Sequence, residues 1–109
     1  MTDLRNVSSS RGFLSLDNVC YFPSYAEGRE YYDDDRPTFC AELPINSTEF
    51  YNAGMLDIRA SVSLVIDAES DEPEADKIRY NGKVYAIYRR YPRGDGLLQL
   101  YLNEKAGVS

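Results

Sequence analysis

The run Lys77-Ile-Arg-Tyr-Asn-Gly-Lys-Val-Tyr-Ala-Ile-Tyr88 lies in the C-terminal half of this 109-residue chain. Asn81-Gly82 at its centre is the strongest short-range signal for a β-hairpin, because a type I′ turn needs positive φ at both central positions. A two-residue turn pairs Tyr80 with Lys83 and Ile78 with Tyr85. The core face is then predicted to hold Ile78, Tyr85 and Ile87, and the opposite face Arg79, Val84, Ala86 and Tyr88.

Three further stretches have the pattern of β-strands. Apolar residues alternate from Ile58 to Ile66, and Leu98, Leu100 and Leu102 alternate in the same way, so that Gln99 and Asn103 are expected to point outward. Residues 38–43 place apolar side chains at 39, 41 and 43 on one face, and Pro44 ends this strand. The sequence therefore predicts a mainly β (α+β) domain of five or six antiparallel strands with one short helix, either a small barrel or a sandwich.

The single helix is predicted from Ser47 to about Met55. Asn46 can cap it, and Glu49, three residues later, is the matching residue of a capping box. Phe50, Tyr51 and Met55 give the helix apolar surface on more than one side, so we expect it to contact both its own barrel and a partner. A helix that simply lies on the barrel mouth explains the pattern equally well, because two turns do not define a face sharply.

The remaining segments are polar. We expect a flexible N-terminal arm over residues 1–12, one domain over residues 13–104, and a flexible tail over residues 105–109. Within the domain, residues 17–37 begin with a strand-like run, Val19-Cys-Tyr-Phe22, and continue as a long acidic, tyrosine-rich loop, and loops of that size usually bind or assemble. Residues 67–76 form an acidic connection that we interpret as solvated, because it is dense in charge and contains Pro73. We prefer a solubilising loop to a metal site there, because the Asp spacing fits no EF-hand.

The overall charge narrows the choice of partners. The net charge is −6, which argues against a groove that wraps nucleic acid, because phosphate neutralisation needs clustered Lys and Arg. An acidic surface is compatible with a conduit for DNA, although a merely soluble surface explains the charge more simply. No apolar run is long enough to span a bilayer, and we expect no membrane contact.

The sequence contains no recognisable combination of residues for catalysis, cofactor binding or metal binding. It has no histidine, no Gly-rich phosphate loop and no CxxC pair, so we predict no catalytic site, no cofactor and no metal site. Cys20 and Cys40 are predicted to be buried reduced thiols. A disulfide stays open as an alternative, because both lie in strand-like stretches that could be neighbours.

Ten tyrosines and no tryptophan indicate protein contacts, because tyrosine combines apolar area with a polar tip. Residues 89–96 are predicted to form a basic turn, because their proline and glycines break the strand. Its cluster of Arg89, Arg90 and Arg93 is interpreted as a local salt-bridging or subunit-docking patch. The candidate residues for inter-subunit contact or docking are Tyr25, Tyr31, Tyr32, Tyr88, Arg89, Arg90, Tyr91 and Arg93.

The order of these features resembles one family. A strand Phe39-Cys-Ala-Glu-Leu is followed by a helix Ser47-Thr-Glu-Phe-Tyr-Asn-Ala-Gly54, a hairpin Tyr80-Asn-Gly-Lys-Val-Tyr-Ala-Ile-Tyr-Arg-Arg-Tyr91 and a closing strand Leu98-Gln-Leu-Tyr-Leu102. From Phe39 onward this order resembles the head-completion proteins of long-tailed bacteriophages, also called head-closure or stopper proteins.

The resemblance implies a β-barrel subunit that joins other copies of itself in a ring below the portal and adaptor proteins. Such a ring retains packaged DNA, which is only the content of its channel, and it offers a docking surface to tail proteins. It implies no cofactor, and a location at the head-tail junction of the virion, or in the host cytoplasm before assembly.

The same resemblance implies that residues 46–57 project toward the channel. The predicted channel residues are Asn46, Ser47, Glu49, Phe50, Tyr51 and Met55. Copies of Glu49 would repel DNA phosphate while Phe50 and Tyr51 narrow the bore. Three alternatives stay open: a tail-completion or tail-terminator subunit, an OB-like barrel that stacks nucleic-acid bases on tyrosines, and a monomeric acidic module such as an inhibitor.

Overall fold

The computed structural model describes residues 14–104, so the predictions for the N-terminal arm and the C-terminal tail lie outside the described residues. The strands are β1 Asn18–Tyr21, β2 Ser24–Ala26, β3 Arg29–Tyr31, β4 Thr38–Leu43, β5 Ala60–Asp67, β6 Lys77–Tyr80, β7 Lys83–Pro92 and β8 Leu97–Asn103. The helices are α1 Ser47–Met55 and a short 3-10 helix, Ala68–Ser70.

Six of the strands form one closed antiparallel β-barrel in the order β1-β4-β5-β8-β7-β6. This confirms the predicted fold class and selects the barrel over the sandwich. Within residues 14–104, closure leaves these six strands without an open sheet edge, which protects a small β protein from edge-to-edge pairing.

The predicted hairpin is confirmed in its register. Tyr80 pairs with Lys83 and Ile78 pairs with Tyr85, and the turn residues Asn81 and Gly82 both have positive φ, 53° and 78°. Ile78 and Tyr85 belong to the core cluster, and Ile87 packs against it. The type I′ turn therefore sets which side of β6 and β7 faces the barrel interior.

The alternating apolar side chains of β5 and β8 also form much of the core, as predicted. Leu64, Ile66, Leu100 and Leu102 are completely buried in one cluster that fills the barrel. Full burial of such a side chain contributes about 1.5–3 kcal/mol relative to leaving it exposed. These two adjacent strands therefore provide much of the hydrophobic stabilisation.

In β4 the apolar residues at 39, 41 and 43 share a face, as predicted, but that face is the outer one. Cys40, from the opposite face, lies in the core cluster, while the Phe39 side chain is 59% exposed. The reason is the register with β5, in which Cys40 lies opposite the buried Ile66. The core therefore accepts the small thiol and leaves the aromatic ring outside.

Gln99 and Asn103 lie on the outer face of β8, opposite the core leucines, as predicted, but this face is covered by protein. Gln99 and Asn103 are each only 8% exposed. The Gln99 side chain donates a 2.8 Å hydrogen bond to the Ser63 hydroxyl and accepts one of 3.2 Å from Arg93. Its polar atoms are thus satisfied within the outer wall, which makes their burial tolerable.

The predicted loop over residues 17–37 contains a second hairpin, β2–β3. Glu27 and Gly28 form its turn with φ of 55° and 77°, the signature of a type I′ turn. The turn is hard to recognise in the sequence because Glu stands where Asn or Asp usually does. Part of this segment is therefore regular structure rather than a flexible loop.

Candidate functional site

Helix α1 has well-defined ends. Asn46 caps the N-terminus as predicted, because its side-chain oxygen accepts a 2.7 Å hydrogen bond from the Glu49 amide. At the C-terminus Asp57 adopts a φ of 62°, and the Asp57 and Ile58 amides donate to the Gly54 and Ala53 carbonyls, each at 2.9 Å. This is a Schellman motif with Asp57 in the position that glycine usually takes.

One side of α1 is held against the outer wall of the barrel. The Glu49 carboxylate accepts a 2.8 Å hydrogen bond from the Tyr88 hydroxyl and a 2.6 Å bond from the Arg89 guanidinium, and Ala53, one turn later, is 4% exposed. Both Glu49 oxygens are therefore directed to β7 instead of closing a capping box with Asn46. We call the contact of Glu49 with Tyr88 and Arg89 the helix latch.

A β-bulge explains why Tyr88 and Arg89 both reach α1. The β7–β8 register shifts between Ile87, which pairs with Leu102, and Arg89, which pairs with Tyr101. Tyr88 is the extra residue, so Arg89 points outward although strict alternation after Ile87 would have turned it into the core. The hairpin register alone therefore predicts the direction of Tyr88 but not that of Arg89.

The Glu49 carboxylate of the helix latch is ionised. Desolvation raises the pKa of Glu49, but the hydrogen bonds from Arg89 and Tyr88 and the Arg89 charge outweigh it, so the net pKa lies below its usual value. Burial and the bond to Glu49 raise the pKa of Tyr88. Glu49 is thus an ionised, paired group whose side chain is 12% exposed, in contrast to the expectation that it repels DNA as a free charge.

Aromatic rings pack beside the Arg89 guanidinium of the helix latch. The Arg89 guanidinium lies 4.2 Å from the centre of the Tyr101 ring and 5.7 Å from that of Tyr91, and the Tyr88 and Tyr101 rings are 6.1 Å apart. Such cation–π contacts hold the guanidinium in place. Tyr101 was not among the predicted site residues, because the bulge that brings Arg89 over it leaves no signal in the sequence.

The other side of α1 is apolar and open. Phe50, Tyr51, Met55 and Leu56 are 57%, 67%, 70% and 73% exposed, and we call these four residues the α1 apolar face. Ser47 is exposed at the start of the helix. The structure thus brings together three predicted channel residues, Phe50, Tyr51 and Met55, and adds Leu56, which the pattern did not single out.

An open groove runs beside this face. It is lined by Phe50 and Gly54 of α1, by residues 57–61 leading into β5, and by Glu104 after β8. Glu104 accepts a 3.0 Å hydrogen bond from the Ser61 hydroxyl. We call this feature the α1 groove.

The β2–β3 hairpin presents a second tyrosine-rich surface. Lys77 pairs with Glu30 at 3.0 Å, and Arg79 pairs with Asp34 while its guanidinium lies 4.6 Å and 5.6 Å from the rings of Tyr21 and Tyr32. These contacts fasten the hairpin and the acidic segment after it to β6. The two remaining rings are exposed, Tyr25 by 63% and Tyr31 by 45%.

The predicted basic turn is mostly strand, because β7 continues through Arg89 and Arg90 to Pro92 in register with β8. Its arginines serve mainly local salt bridges. Arg90 donates from Nε to both Asp71 oxygens at 3.1 Å, and from Nη2 to the Glu72 and Ala75 carbonyls at 2.9 and 2.8 Å. The acidic connection that we expected to be merely solvated is therefore tied to β7. Arg93 binds Gln99, so of this predicted docking group Tyr91, at 50% exposure, is the residue most open to a partner.

Cys20 and Cys40 are both fully buried, as predicted, and no disulfide joins them in the structure. The Cys20 thiol donates to the Thr38 carbonyl at 3.5 Å, and its pKa is raised by a hydrogen bond with Cys40 and by burial. Residues 14–104 hold no group of three or more side chains suited to a metal ion.

No protein-family model and no curated protein sequence matches this chain significantly. Across the part of the chain that the structure describes, we find no helix with the length and apolar character needed to cross a membrane.

Proposed function

We propose that this protein is a structural subunit of the head-tail connector of a long-tailed bacteriophage. In this role several copies form a ring below the portal and adaptor, close the channel after DNA packaging and provide a surface to which the tail docks. The resemblance of residues 39–102 to head-completion proteins supports this role, and so does the closed barrel that carries helix α1 on its outer wall.

The observation that carries the proposal is the α1 apolar face. Soluble monomers rarely leave large apolar side chains next to one another in water, and such patches usually mark contact surfaces. Here four of them, Phe50, Tyr51, Met55 and Leu56, lie on nine helical residues and the residue that follows. Burial of these side chains against another protein in an assembly would remove the unfavourable free energy of exposing them to water.

The helix latch fits the same role. A channel element must keep its direction while DNA presses on it, and Glu49 fixes α1 to β7 through two short hydrogen bonds. With Glu49 used in this way, the α1 apolar face is left for gate or inter-subunit contacts. The net charge of −6 disfavours adhesion of DNA phosphate to the channel wall.

The test uses tail-less, DNA-filled capsids of the phage that lack this product. Purified protein is added, and DNA release and tail attachment are measured. We expect retained DNA and restored tail joining with the natural protein. We expect loss of DNA retention with the double variant Phe50→Ser/Tyr51→Ser.

Phe39→Ser is the matched control, because Phe39 is as exposed as Phe50, 59% against 57%, but lies on β4 away from α1. It should behave as the natural protein. Absence of binding to capsids would contradict the proposal. Binding to isolated tails would favour a tail-completion subunit, salt-dependent retention of an oligonucleotide would favour the nucleic-acid-binding barrel, and a discrete complex with one host protein would favour the inhibitor.

A further inference from the structure

The β2–β3 hairpin and the α1 groove lie on opposite walls of the barrel. In the strand order β1-β4-β5-β8-β7-β6, β1 is opposite β8 and β6 is opposite β5. The hairpin follows β1 and is fastened to β6, whereas the groove borders the start of β5 and the end of β8. The two surfaces therefore face away from each other.

The outward face of the hairpin is defined by its register. Tyr31 pairs with Ser24 and Arg29 pairs with Ala26, so Tyr31 and Arg29, two residues apart, point to the same side. Glu30 points to the other side, where it binds Lys77. Both Tyr31 and Arg29 are exposed, and within residues 14–104 Arg29 has no acidic partner.

The α1 groove has complementary chemistry. Phe50 supplies an aromatic wall, and a β-carbon at Gly54 would meet no atom within 4 Å, so the groove is open there. Glu104 places a carboxylate along it, and Arg59 is the guanidinium in its lining. In the described part of the chain Glu104 is bound by the Ser61 hydroxyl rather than by a cation.

We propose that the hairpin of one copy docks into the α1 groove of the next copy, with Tyr31 against Phe50 and Arg29 paired with Glu104. This inference rests on the proposed ring and names the contact that builds it. Aromatic rings and an arginine are the residues that protein interfaces favour. Because the two surfaces differ and face apart, the contact is head-to-tail, so it repeats from copy to copy instead of ending at a dimer, and it closes into a ring when the rotation between copies permits.

Disulfide trapping tests the contact. A chain that carries both Tyr31→Cys and Phe50→Cys is concentrated and oxidised with copper phenanthroline in air, which accepts the two electrons and two protons released per disulfide. We expect a ladder of covalent multimers on non-reducing gels. An equal mixture of the two single variants should stop at dimers, because each chain then offers one reactive surface.

The buried Cys20 and Cys40 do not compete, since both are 0% exposed. The control chain carries Tyr31→Cys with Ser70→Cys, an exposed position on the 3-10 helix, and it should give no ladder. Absence of a ladder from the Tyr31→Cys/Phe50→Cys chain, or a product that ends at dimers, would overturn the proposal.

Charge reversal tests the ion pair in the same assay. Arg29→Glu and Glu104→Arg, each added to the double-cysteine chain, should lower the multimer yield about threefold or more, and the two together should restore it. Failure of the combined variant to recover would contradict the pairing. A ladder without capsid binding would keep this contact and refute the phage role, whereas capsid activity without a ladder would do the reverse.

Discussion

The Tyr88 hydroxyl donates a 2.8 Å hydrogen bond to the Glu49 carboxylate across 39 positions of sequence. Tyr88 reaches Glu49 because it is the extra residue of a bulge, and the same bulge turns Arg89 outward to complete the latch. An irregularity in one strand thus determines how the helix lies. The exposed direction of Phe50 and Tyr51 follows from it.

Glu49→Gln should lower the free energy of unfolding by about 1–2 kcal/mol at pH 7, because it removes a charge-assisted pair with Arg89. The folded pKa of Glu49 is lowered, so ionised Glu49 stabilises the fold above its unfolded pKa of about 4.3. That contribution is lost as the pH falls through the folded pKa. Urea unfolding followed by circular dichroism checks this.

The difference between the natural protein and Glu49→Gln should therefore be constant above about pH 5 and shrink below about pH 4. Glu74→Gln is the control, because Glu74 is exposed in the acidic connection. A difference that grows toward low pH would contradict the latch.

Arg90→Ala should destabilise the fold by about 2–4 kcal/mol, because it leaves Asp71 without its cation and frees the Glu72 and Ala75 carbonyls. Arg90→Lys should recover little of this, because an ammonium does not reproduce the planar fork of donors. Arg36→Ala, at an exposed position, should change stability by less than about 0.5 kcal/mol. Equal effects at Arg90 and Arg36 would refute the anchoring role.

Glu27→Asn should strengthen the β2–β3 hairpin by a few tenths of a kcal/mol up to about 1 kcal/mol. Glu27 has a φ of 55° and is followed by Gly28 at 77°, and Asn tolerates this left-handed conformation better than Glu. The measurement is amide hydrogen exchange in residues 24–31. Gly28→Ala should have the opposite effect, and slower exchange in that variant would contradict the assigned turn.

Ellman's reagent should detect no thiol in the native protein and two thiols after unfolding in urea without a reductant. Cys20 and Cys40 are both completely buried and free, and hydrogen bonding and burial keep Cys20 protonated, so neither thiol is available to the reagent. Two buried thiols in one barrel should become reactive together with global unfolding. Absence of thiol in urea would instead indicate a disulfide.

Local sequence signals predicted most of the barrel. Asn81-Gly82 determined the β6–β7 register, and the alternation through Leu64 and Leu100 identified the core faces, because turn type and period-2 patterning act over a few neighbouring residues. Asn46 predicted the start of α1 for the same reason, since an N-cap depends on the residue and the next three.

Long-range pairings were not predictable in this way. The bulge at Tyr88 has no sequence signature, and Arg90 finds Asp71 only after β7 and the acidic connection are side by side. The pattern at residues 39–43 left the buried face undecided, and pairing with β5 placed Cys40 inside. The sequence named tyrosines and arginines as candidate contact residues by type, while their division among the helix latch, the α1 apolar face and the β2–β3 hairpin depended on the folded chain.

The most direct test of the proposed role is electron microscopy of tail-less, DNA-filled capsids after incubation with the purified protein. The ring hypothesis predicts several copies arranged as a ring at the single portal vertex of each capsid, with the DNA retained inside. Capsids that keep a bare portal vertex, or protein bound evenly over the shell, would contradict it.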